Sequence, residues 1–344
     1  MRNEILLVAV LALLGSQIDG SPRLAVAQSQ NARPLTKIAI SHAGAVSASV
    51  AVPRAIAEEQ GLFKKYGLDV RLVSDPLGAA IAKETEFGYL GSGGILMAIA
   101  QYGTNLRILG AFSTGRTSSH LVTKAEIKKP EDLRGKRFGV ITLGAGVWVT
   151  TMQALEHFGL DPIRDNIAIL PIGNNTEIAK ALEDGRIDAA MLTPAQSLQL
   201  RSKGYSVMLD MYANNIFGPQ GLLAVTEPYL QQHPEAAQKL ATAFVEAGAF
   251  SLAPRNKPTV LRTIMKEYNL SNPAAAERGY EDLSNINRRP FPTADRLRSL
   301  QKIMAYHEPK VLNLRVEDLI DDRIIRSLDE GGVIARLYNS YEAQ

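Results

Sequence analysis

Two stretches of the chain carry the same pattern of hydrophobic and polar positions. In residues 37–94 a short apolar strand is followed by a helix, a strand, a second helix and a third strand, and residues 136–195 follow the same plan. Such alternation of apolar runs with helical periodicity predicts a βαβαβ unit in each stretch. Ligands of open parallel sheets bind beyond the carboxyl ends of the strands. The repeat therefore predicts two α/β lobes with a ligand-binding cleft between them.

The repeat extends to the ends of its elements. The first helix of each unit closes at a Gly-Leu-Asp sequence, at Gly67 and at Gly159, where glycine permits left-handed backbone between a helix and a strand. The predicted strands are 37–41, 70–73 and 88–92, continued by 106–112, and 136–140, 167–170 and 187–191, continued by 206–210. A short helix is predicted around 79–84 and another at 178–185.

Two segments are predicted to cross between the lobes. They lie near 113–123 and 212–225, and the apolar run 222–225 is typical of a strand that returns to the first lobe. A chain that crosses twice predicts a two-stranded hinge. Beyond Thr226 the pattern is mostly helical and is expected to pack back on the first lobe; the predicted helices are 235–252, 259–268, 273–283, 293–306, 317–328 and 335–341.

The N-terminus differs from the rest of the chain. Arg2 precedes an apolar run at 5–14 that is too short to span a bilayer, and Ala25-Val26-Ala27 supplies a small-residue cleavage site. These features predict a secretory signal peptide at 1–27, followed by a polar leader at 28–35; the alternative is a hydrophobic first helix of the domain. An exported chain of this kind is expected in the periplasm.

Composition narrows the classes of function. The 344 residues suit about two domains at roughly 150 residues each, and the net charge of +3 with scattered basic residues argues against a nucleic-acid partner. The chain has no cysteine, which excludes disulfides, thiolate nucleophiles and cysteine-ligated metals. The five histidines show no metal-ligand spacing, so neither a metal nor a catalytic role is predicted.

Three segments, in order, resemble the signatures of one family. Gly61–Val70, Pro130–Val140 and Ala181–Ala190 resemble passages of the NMT1/THI5-like substrate-binding proteins of ABC importers, the nitrate/taurine/sulfonate type, and the resemblance covers residues 36–250. It implies a two-lobed periplasmic-binding-protein fold of type II, each lobe an open, mostly parallel sheet flanked by helices, with lobe one at 36–118 plus 225–344 and lobe two at 119–224. It further implies a monomer without a cofactor that captures a small-molecule ligand by hinge closure and delivers it to a membrane permease.

The ligand-binding candidates are small or polar residues at the carboxyl ends of predicted strands. Such loops expose backbone N–H groups, and a helix N-terminus favours an anion. In lobe one the candidates are Ser41, His42, Ser47, Ser92, Gly93, Ser113 and Thr114, and in lobe two they are Gly144, Ala145, Gly146, Trp148, Asn174, Asn175 and Thr193. A helix-cap role is the alternative for Ser92 and Asn174. His42 could donate to an anionic group.

The second lobe departs from the family pattern. Sulfonate- and nitrate-type relatives often carry hydroxyls in the turn where this chain has Gly144, Ala145 and Gly146, followed by its single tryptophan, Trp148. Trp148 could stack on a ligand, or it could serve interlobe packing. Thr193 stands where relatives often carry an acidic residue. Because threonine carries no negative charge, this difference disfavours a cationic ligand.

A carboxylate or sulfonate with an organic tail is therefore the predicted ligand, with a neutral heterocycle such as a pyrimidine second. Two other functions stay open. One is a ligand-binding module that serves a sensor. The other is a pyrimidine-synthase-like protein of the same fold, although the cysteine-rich metal motif of that enzyme branch is absent here.

Overall fold

The computed structural model describes residues 34–42, 47–75, 78–81, 83–270 and 272–343, so the predicted signal peptide lies outside the described residues. The strands are β1 (Thr36–His42), β2 (Leu68–Ser74), β3 (Phe87–Gly91), β4 (Leu106–Ala111), β5 (His120–Thr123), β6 (Arg137–Val140), β7 (Ala168–Pro171), β8 (Ala189–Leu192), β9 (Ser206–Asp210) and β10 (Gly221–Thr226).

Helices connect these strands and fill the C-terminal part. The α-helices are α1 (Ala48–Glu59), α2 (Leu62–Lys65), α3 (Ser92–Tyr102), α4 (Gly146–His157), α5 (Asn175–Glu183), α6 (Pro194–Arg201), α7 (Glu227–Gln232), α8 (Pro234–Leu252), α9 (Lys257–Glu267), α10 (Pro273–Glu281), α11 (Ala294–Met304), α12 (Arg323–Glu330) and α13 (Val333–Glu342). Short 3₁₀ helices lie at Pro130–Leu133, Pro254–Asn256, Asp282–Asn285, Pro309–Asn313 and Val316–Leu319. None of the helices in the described part of the chain has the length and apolar character needed to cross a membrane.

The strands form two sheets with the same topology. The first sheet has the order β2-β1-β3-β10-β4 and the second has the order β7-β6-β8-β5-β9. In the first sheet β10 runs opposite to the other four strands, and in the second β5 does. Each sheet with its helices is called a lobe below. The two-lobed fold of mostly parallel sheets predicted from the repeat is thus confirmed.

The glycine that ends the first helical segment of each repeat has the predicted conformation. Gly67 has φ +78° and Gly159 has φ +67°, and a Cβ built on either would meet nothing within 4 Å. The glycines are therefore required by backbone conformation and not by packing, because L side chains rarely adopt such φ values.

The aspartate of one family-like passage, Asp188, holds neighbouring strands of the second sheet together. Asp188, just before β8, accepts from Lys124 Nζ at 2.7 Å, from Arg137 Nε at 2.9 Å and from the Arg137 backbone amide at 3.0 Å. The bonds from Arg137 lower the pKa of this carboxyl well below its usual range, against the opposing effect of burial. Asp188 therefore ties the start of β8 to β6 and to the end of β5.

Two antiparallel segments, 112–119 and 211–220, join the lobes. Arg116 and Phe217 form a bridge between them, and the Gly218 amide donates to the Gly115 carbonyl at 2.7 Å. Gly115 has φ +70°, and a Cβ there would lie 2.6 Å from the Gly218 carbonyl oxygen, so only glycine fits. The two-stranded hinge is confirmed. The returning strand β10 begins at Gly221, so the boundary predicted between residues 224 and 225 falls within it.

Two other elements differ from their predictions. The segment predicted as a helix around 79–84 forms turns in its described residues, because it is short and begins after Gly78 at φ +80°. The Asp75 carboxylate holds these turns by accepting from the Ala79 and Ala80 amides. The helix predicted at 317–328 is divided into a 3₁₀ turn at Val316–Leu319 and α12.

The C-terminal part does not pack on the first lobe alone. Most of it does, but α11 lies against α3 of the first lobe and α4 of the second. Its residues Leu297, Leu300, Ile303 and Met304 are buried in one hydrophobic cluster with side chains of both lobes. An amphipathic pattern shows that a helix has an apolar face, but it does not show which two surfaces that face will fill.

Candidate functional site

Five helices of the described residues begin beyond the carboxyl ends of parallel strands, where the fold places ligands. Helix α1 follows β1, α3 follows β3 directly, and α4, α5 and α6 follow β6, β7 and β8 after short loops. Because β7, β6 and β8 are neighbours in the second sheet, the starts of the last three helices lie along one sheet edge. Helix starts of this kind present unpaired N–H groups that favour an anion or a polar group.

The first three candidates of lobe one lie at the end of β1 and the start of α1. Ser41 is fully buried, and its Oγ donates to the Phe87 carbonyl at 3.4 Å, so the hydroxyl serves the sheet. His42 is half-buried at the last position of β1, beside β3. Ser47 is exposed, and its Oγ lies 3.1 Å from that of Ser49.

Ser92 and Ser113 both hold the strand that returns from the second lobe. The Gln220 amide donates to Ser92 Oγ at 3.2 Å, and the Gly221 amide donates to Ser113 Oγ at 2.8 Å. Both serines are buried. Thr114 lies in the hinge, where its amide donates to the Asn285 carbonyl at 2.8 Å. These positions couple the candidate site to the hinge.

The polar candidates of lobe two cap helices. The Asn174 side chain accepts from the Thr176 and Glu177 amides, and the Thr193 hydroxyl accepts from the Gln196 amide. The structure also brings the two helix starts together, because Gln196 Nε2 donates to the Asn175 carbonyl at 3.0 Å. Their contact with a ligand stays a prediction.

The lobes touch where the glycine candidates lie. A Cβ built on Gly93 would lie 3.5 Å from the Met304 sulfur and 4.0 Å from the Gly144 carbonyl oxygen. Gly144 itself lies under the His307 ring, with a built Cβ only 2.6 Å from His307 Cδ2. The start of α3, the loop before α4 and the end of α11 therefore meet at one point.

Trp148 occupies this junction and not an open wall. Its side chain is 3% exposed, and its ring centroid lies 6.0 Å from that of His307. The indole belongs to the cluster that contains Met304 and Met152. The indole therefore packs where α4, α11 and His307 meet, and its contact with a ligand stays a prediction. Ala145 and Gly146 begin the same helix, and Gly146 is exposed.

A polar contact reinforces this junction. The Tyr306 hydroxyl, just beyond α11, donates to the Asp161 carboxylate of the second lobe. That bond, with bonds from the Arg164 and Ile163 amides, lowers the pKa of Asp161. Tyr306 and Asp161 therefore form a second link between the C-terminal part and lobe two.

Replacing Tyr306 with phenylalanine should weaken this link by at most about 1 kcal/mol, because the hydroxyl is partly exposed and water can solvate Asp161. Chemical denaturation at pH 7 and at pH 3 tests the assignment. The lowered pKa means that the stabilisation is present above the ordinary carboxyl range and disappears as the pH falls through the folded-state value. A difference between wild type and variant that does not shrink in acid would contradict the link.

Beside the hinge lies a cavity of about 390 Å³ that both lobes and α11 line. The side chains and backbone around it are Ser92, Gln153, Glu156, His157, Ile216, Phe217, Gly218, Pro219, Gln220, Arg296, Ser299 and Leu300. Of the sequence-predicted candidates only Ser92 borders it. The hinge and α11 supply most of the remainder, and residues at such positions carry no local sequence signal.

Arg296 is the cationic side chain of this cavity. Its guanidinium stacks over the Phe217 ring at 4.0 Å from the centroid and donates to the Thr114 carbonyl. Burial lowers the pKa of Arg296. Within the described residues no group of three or more His, Cys, Asp or Glu side chains could hold a metal ion.

Two five-stranded lobes with identical strand order, a two-stranded hinge and an interlobe cavity define a hinged solute-binding protein. The model of the NMT1/THI5 like family matches residues 49–256, and the chain belongs to that family. The taurine-binding periplasmic protein of Escherichia coli K12 is 28% identical over 205 residues, which are 57% of this chain and 62% of that protein. The match thus spans less than two thirds of the length of this relative.

Solved structures share the fold. The periplasmic aliphatic sulphonate binding protein SsuA from Escherichia coli superimposes with a TM-score of 0.63 at 18% identity, over 79% of this chain and 87% of its own. The periplasmic nitrate-binding protein NrtA from Synechocystis PCC 6803 gives a TM-score of 0.61 at 13% identity, over 88% of this chain and 91% of its own. At these identities the likeness shows the fold.

Proposed function

We propose that the protein is the periplasmic solute-binding component of an ABC importer and that it binds a small organic sulfonate or carboxylate between its lobes. The observation that carries the proposal is the interlobe cavity beside a two-stranded hinge. Its volume lies in the range of small-molecule pockets, which is about 300–1,000 Å³. The family and the taurine-binding relative support an exported binding protein.

The mechanism follows from the hinge. A ligand that contacts both lobes at once stabilises the conformation in which they meet, and only this difference in affinity shifts the population. The membrane permease would recognise the closed form. Binding alone performs this work, so no bond is made or broken and no catalytic residue is required.

The ligand class follows from charge. The start of α3 at Ser92 and the cationic Arg296 favour an anionic group, whereas the remainder of the cavity mixes apolar, hydroxyl and amide side chains with Glu156 and His157. An acid with a short organic tail satisfies both parts. The proposed class includes the ligands named by the relatives, taurine and aliphatic sulfonates.

The first test is a thermal-shift screen of the protein expressed from Gln28 onward. Taurine, ethanesulfonate, benzoate, sodium nitrate and uracil are added separately. A true ligand at about 100 times its Kd stabilises by about 2.7 kcal/mol, which raises the melting temperature by several degrees. The organic acids are expected to do so; stabilisation by nitrate or uracil alone would overturn the proposed ligand class.

A second test separates an importer from a sensor. Deleting the gene is expected to abolish uptake of the radiolabelled acid that binds in vitro, and expression of the intact chain should restore it. Unchanged uptake in the deletion strain would contradict the importer assignment while leaving the binding result intact.

A further inference from the structure

We infer that Arg296 binds the acidic group of the ligand and that Gln153 and Glu156 of α4 receive an amino group, so that the ligand is a small zwitterionic amino-sulfonate or amino acid. The inference rests on the proposed function and assigns residues to it. None of these three positions is among the candidates predicted from the sequence.

The first observation is that the guanidinium of Arg296 has no carboxylate partner among the described residues. Its neighbour on the same helix, Arg298, forms surface ion pairs with Asp295 and Glu317. Among the described residues, no carboxylate pairs with Arg296, and its one hydrogen bond is to the Thr114 carbonyl. A guanidinium has five N–H donors in a planar fork, so donors are left to hold a sulfonate or carboxylate. Its stacking on Phe217 fixes the plane of that fork.

The second observation is a buried, unpaired acceptor on Gln153, a residue that borders the cavity. Gln153 Nε2 donates to the Phe217 carbonyl at 2.6 Å, which turns the side-chain oxygen away from that bond. Gln153 Oε1 is buried and has no hydrogen-bond partner. Buried polar atoms are rarely left in this state. Because Gln153 borders the cavity, a turn of its side-chain amide brings this oxygen to a ligand N–H, and Glu156, one turn further along α4, supplies the negative charge that favours an ammonium.

The placement of these groups also explains closure. Gln153 and Glu156 belong to the second lobe, whereas Arg296 packs on the hinge through Thr114 and Phe217. A ligand with an acid at one end and an amine at the other contacts α4 and α11 together. It therefore stabilises the arrangement in which α11 lies against α4.

Isothermal titration calorimetry with four small probes tests the inference. Taurine and β-alanine carry both groups, ethanesulfonate lacks the amine and ethanolamine lacks the acid. Wild type should bind one of the first two at least about 10-fold more tightly than ethanesulfonate, and ethanolamine should not bind.

Arg296→Gln should weaken the acids by about 10- to 100-fold, because it removes a partner of a charge-assisted pair. Gln153→Met should weaken taurine by a larger factor than it weakens ethanesulfonate, because both acids use Arg296 on Phe217 but only taurine carries the amino group.

The matched control is Arg298→Gln, which makes the same substitution on the exposed side of α11 and should leave every affinity unchanged. Circular dichroism melting establishes that each variant folds. Should Arg296→Gln fail to fold, Arg296→Lys keeps the charge but loses the planar fork, and a loss of acid binding is again expected.

The calorimetry distinguishes a failure of the residue roles inferred here from a failure of the proposed function. If taurine or ethanesulfonate binds wild type and Arg296→Gln equally, the role of Arg296 is wrong and the proposed function stands. If ethanesulfonate binds as tightly as taurine, the amino-group assignment is wrong. If no acid binds wild type, the proposed ligand class and this inference fall together.

Discussion

Replacing Gly93 with leucine is expected to hold the two lobes apart and to weaken ligand binding by about 5- to 150-fold. The alanine Cβ position already lies in van der Waals contact with Met304 and close to the Gly144 carbonyl oxygen, so a longer side chain must displace α11 or the second lobe. Overpacking of this kind costs typically 1–3 kcal/mol. The part of this cost that falls on the contact with Gly144 arises only where the lobes meet, and it shifts the population toward the open state.

Small-angle X-ray scattering measures this shift as a larger radius of gyration, and calorimetry with the best acid from the screen measures the affinity. Gly93→Ala is the graded control, since contacts of 3.5 and 4.0 Å are ordinary for a methyl group. It should match wild type in scattering. If the leucine variant has the scattering and affinity of wild type, the contact between α3, Met304 and Gly144 has no part in closure.

The parts of the fold that depend on short stretches of sequence were predictable. Gly67 and Gly159 end their helices because the backbone there is left-handed, and the two repeats produce sheets of the same strand order. The crossings between lobes were also visible, because glycine and polar residues interrupt the periodic segments there. At these positions the residues close in sequence are enough to determine the backbone conformation.

The site was less predictable, because its residues act through partners distant in sequence. The hydroxyls of Ser92 and Ser113 sit at strand ends as predicted, yet both accept from backbone amides at the beginning of β10 and just before it. Arg296 lies on a surface-like amphipathic helix, and only the packing of α11 against the hinge brings it to Phe217. No spacing rule joins Arg296 to Thr114, whose carbonyl accepts from it across 182 positions of sequence.

Trp148 shows the same limit. A lone tryptophan near a predicted cleft fits a stacking platform as well as it fits packing. The packing partner of Trp148 is His307, which comes from the C-terminal part of the chain. The sequence contained both residues but not the contact between them.

Replacing Glu246 with alanine is expected to have the largest effect on stability, about 2–3 kcal/mol. Glu246 lies on α8 with a side chain that is 2% exposed, and it accepts from Lys65 Nζ at 2.6 and 2.8 Å, Tyr66 Oη at 2.6 Å and Tyr341 Oη at 2.8 Å. Removing one member of a buried pair costs about 3–5 kcal/mol when the other charge stays buried. Lys65 is half exposed and can turn to water, so the lower figure applies. The two phenols lose their shared acceptor.

The effect of this substitution depends on pH with a definite sign. Burial raises the pKa of Glu246, but the bonds from Lys65, Tyr66 and Tyr341 outweigh it, and the net folded-state pKa is lowered. The stabilisation is therefore complete above the ordinary glutamate value of about 4.3 and is lost as the pH falls through the folded-state value. Urea denaturation at pH 7 should show the full difference between wild type and variant, and at pH 3 the difference should be smaller.

The exposed pair of Glu183 and Lys203, joined at 2.8 Å, is the comparison for this substitution. Glu183→Ala removes the same kind of charge from α5, where both partners are solvated, and should cost less than about 1 kcal/mol at either pH. Equal losses for the two variants at pH 7 would mean that burial and the tyrosine bonds contribute nothing at Glu246. A larger loss for Glu246→Ala that shrinks in acid would show that the C-terminal helix α13 is held to α8 through an ionised carboxylate.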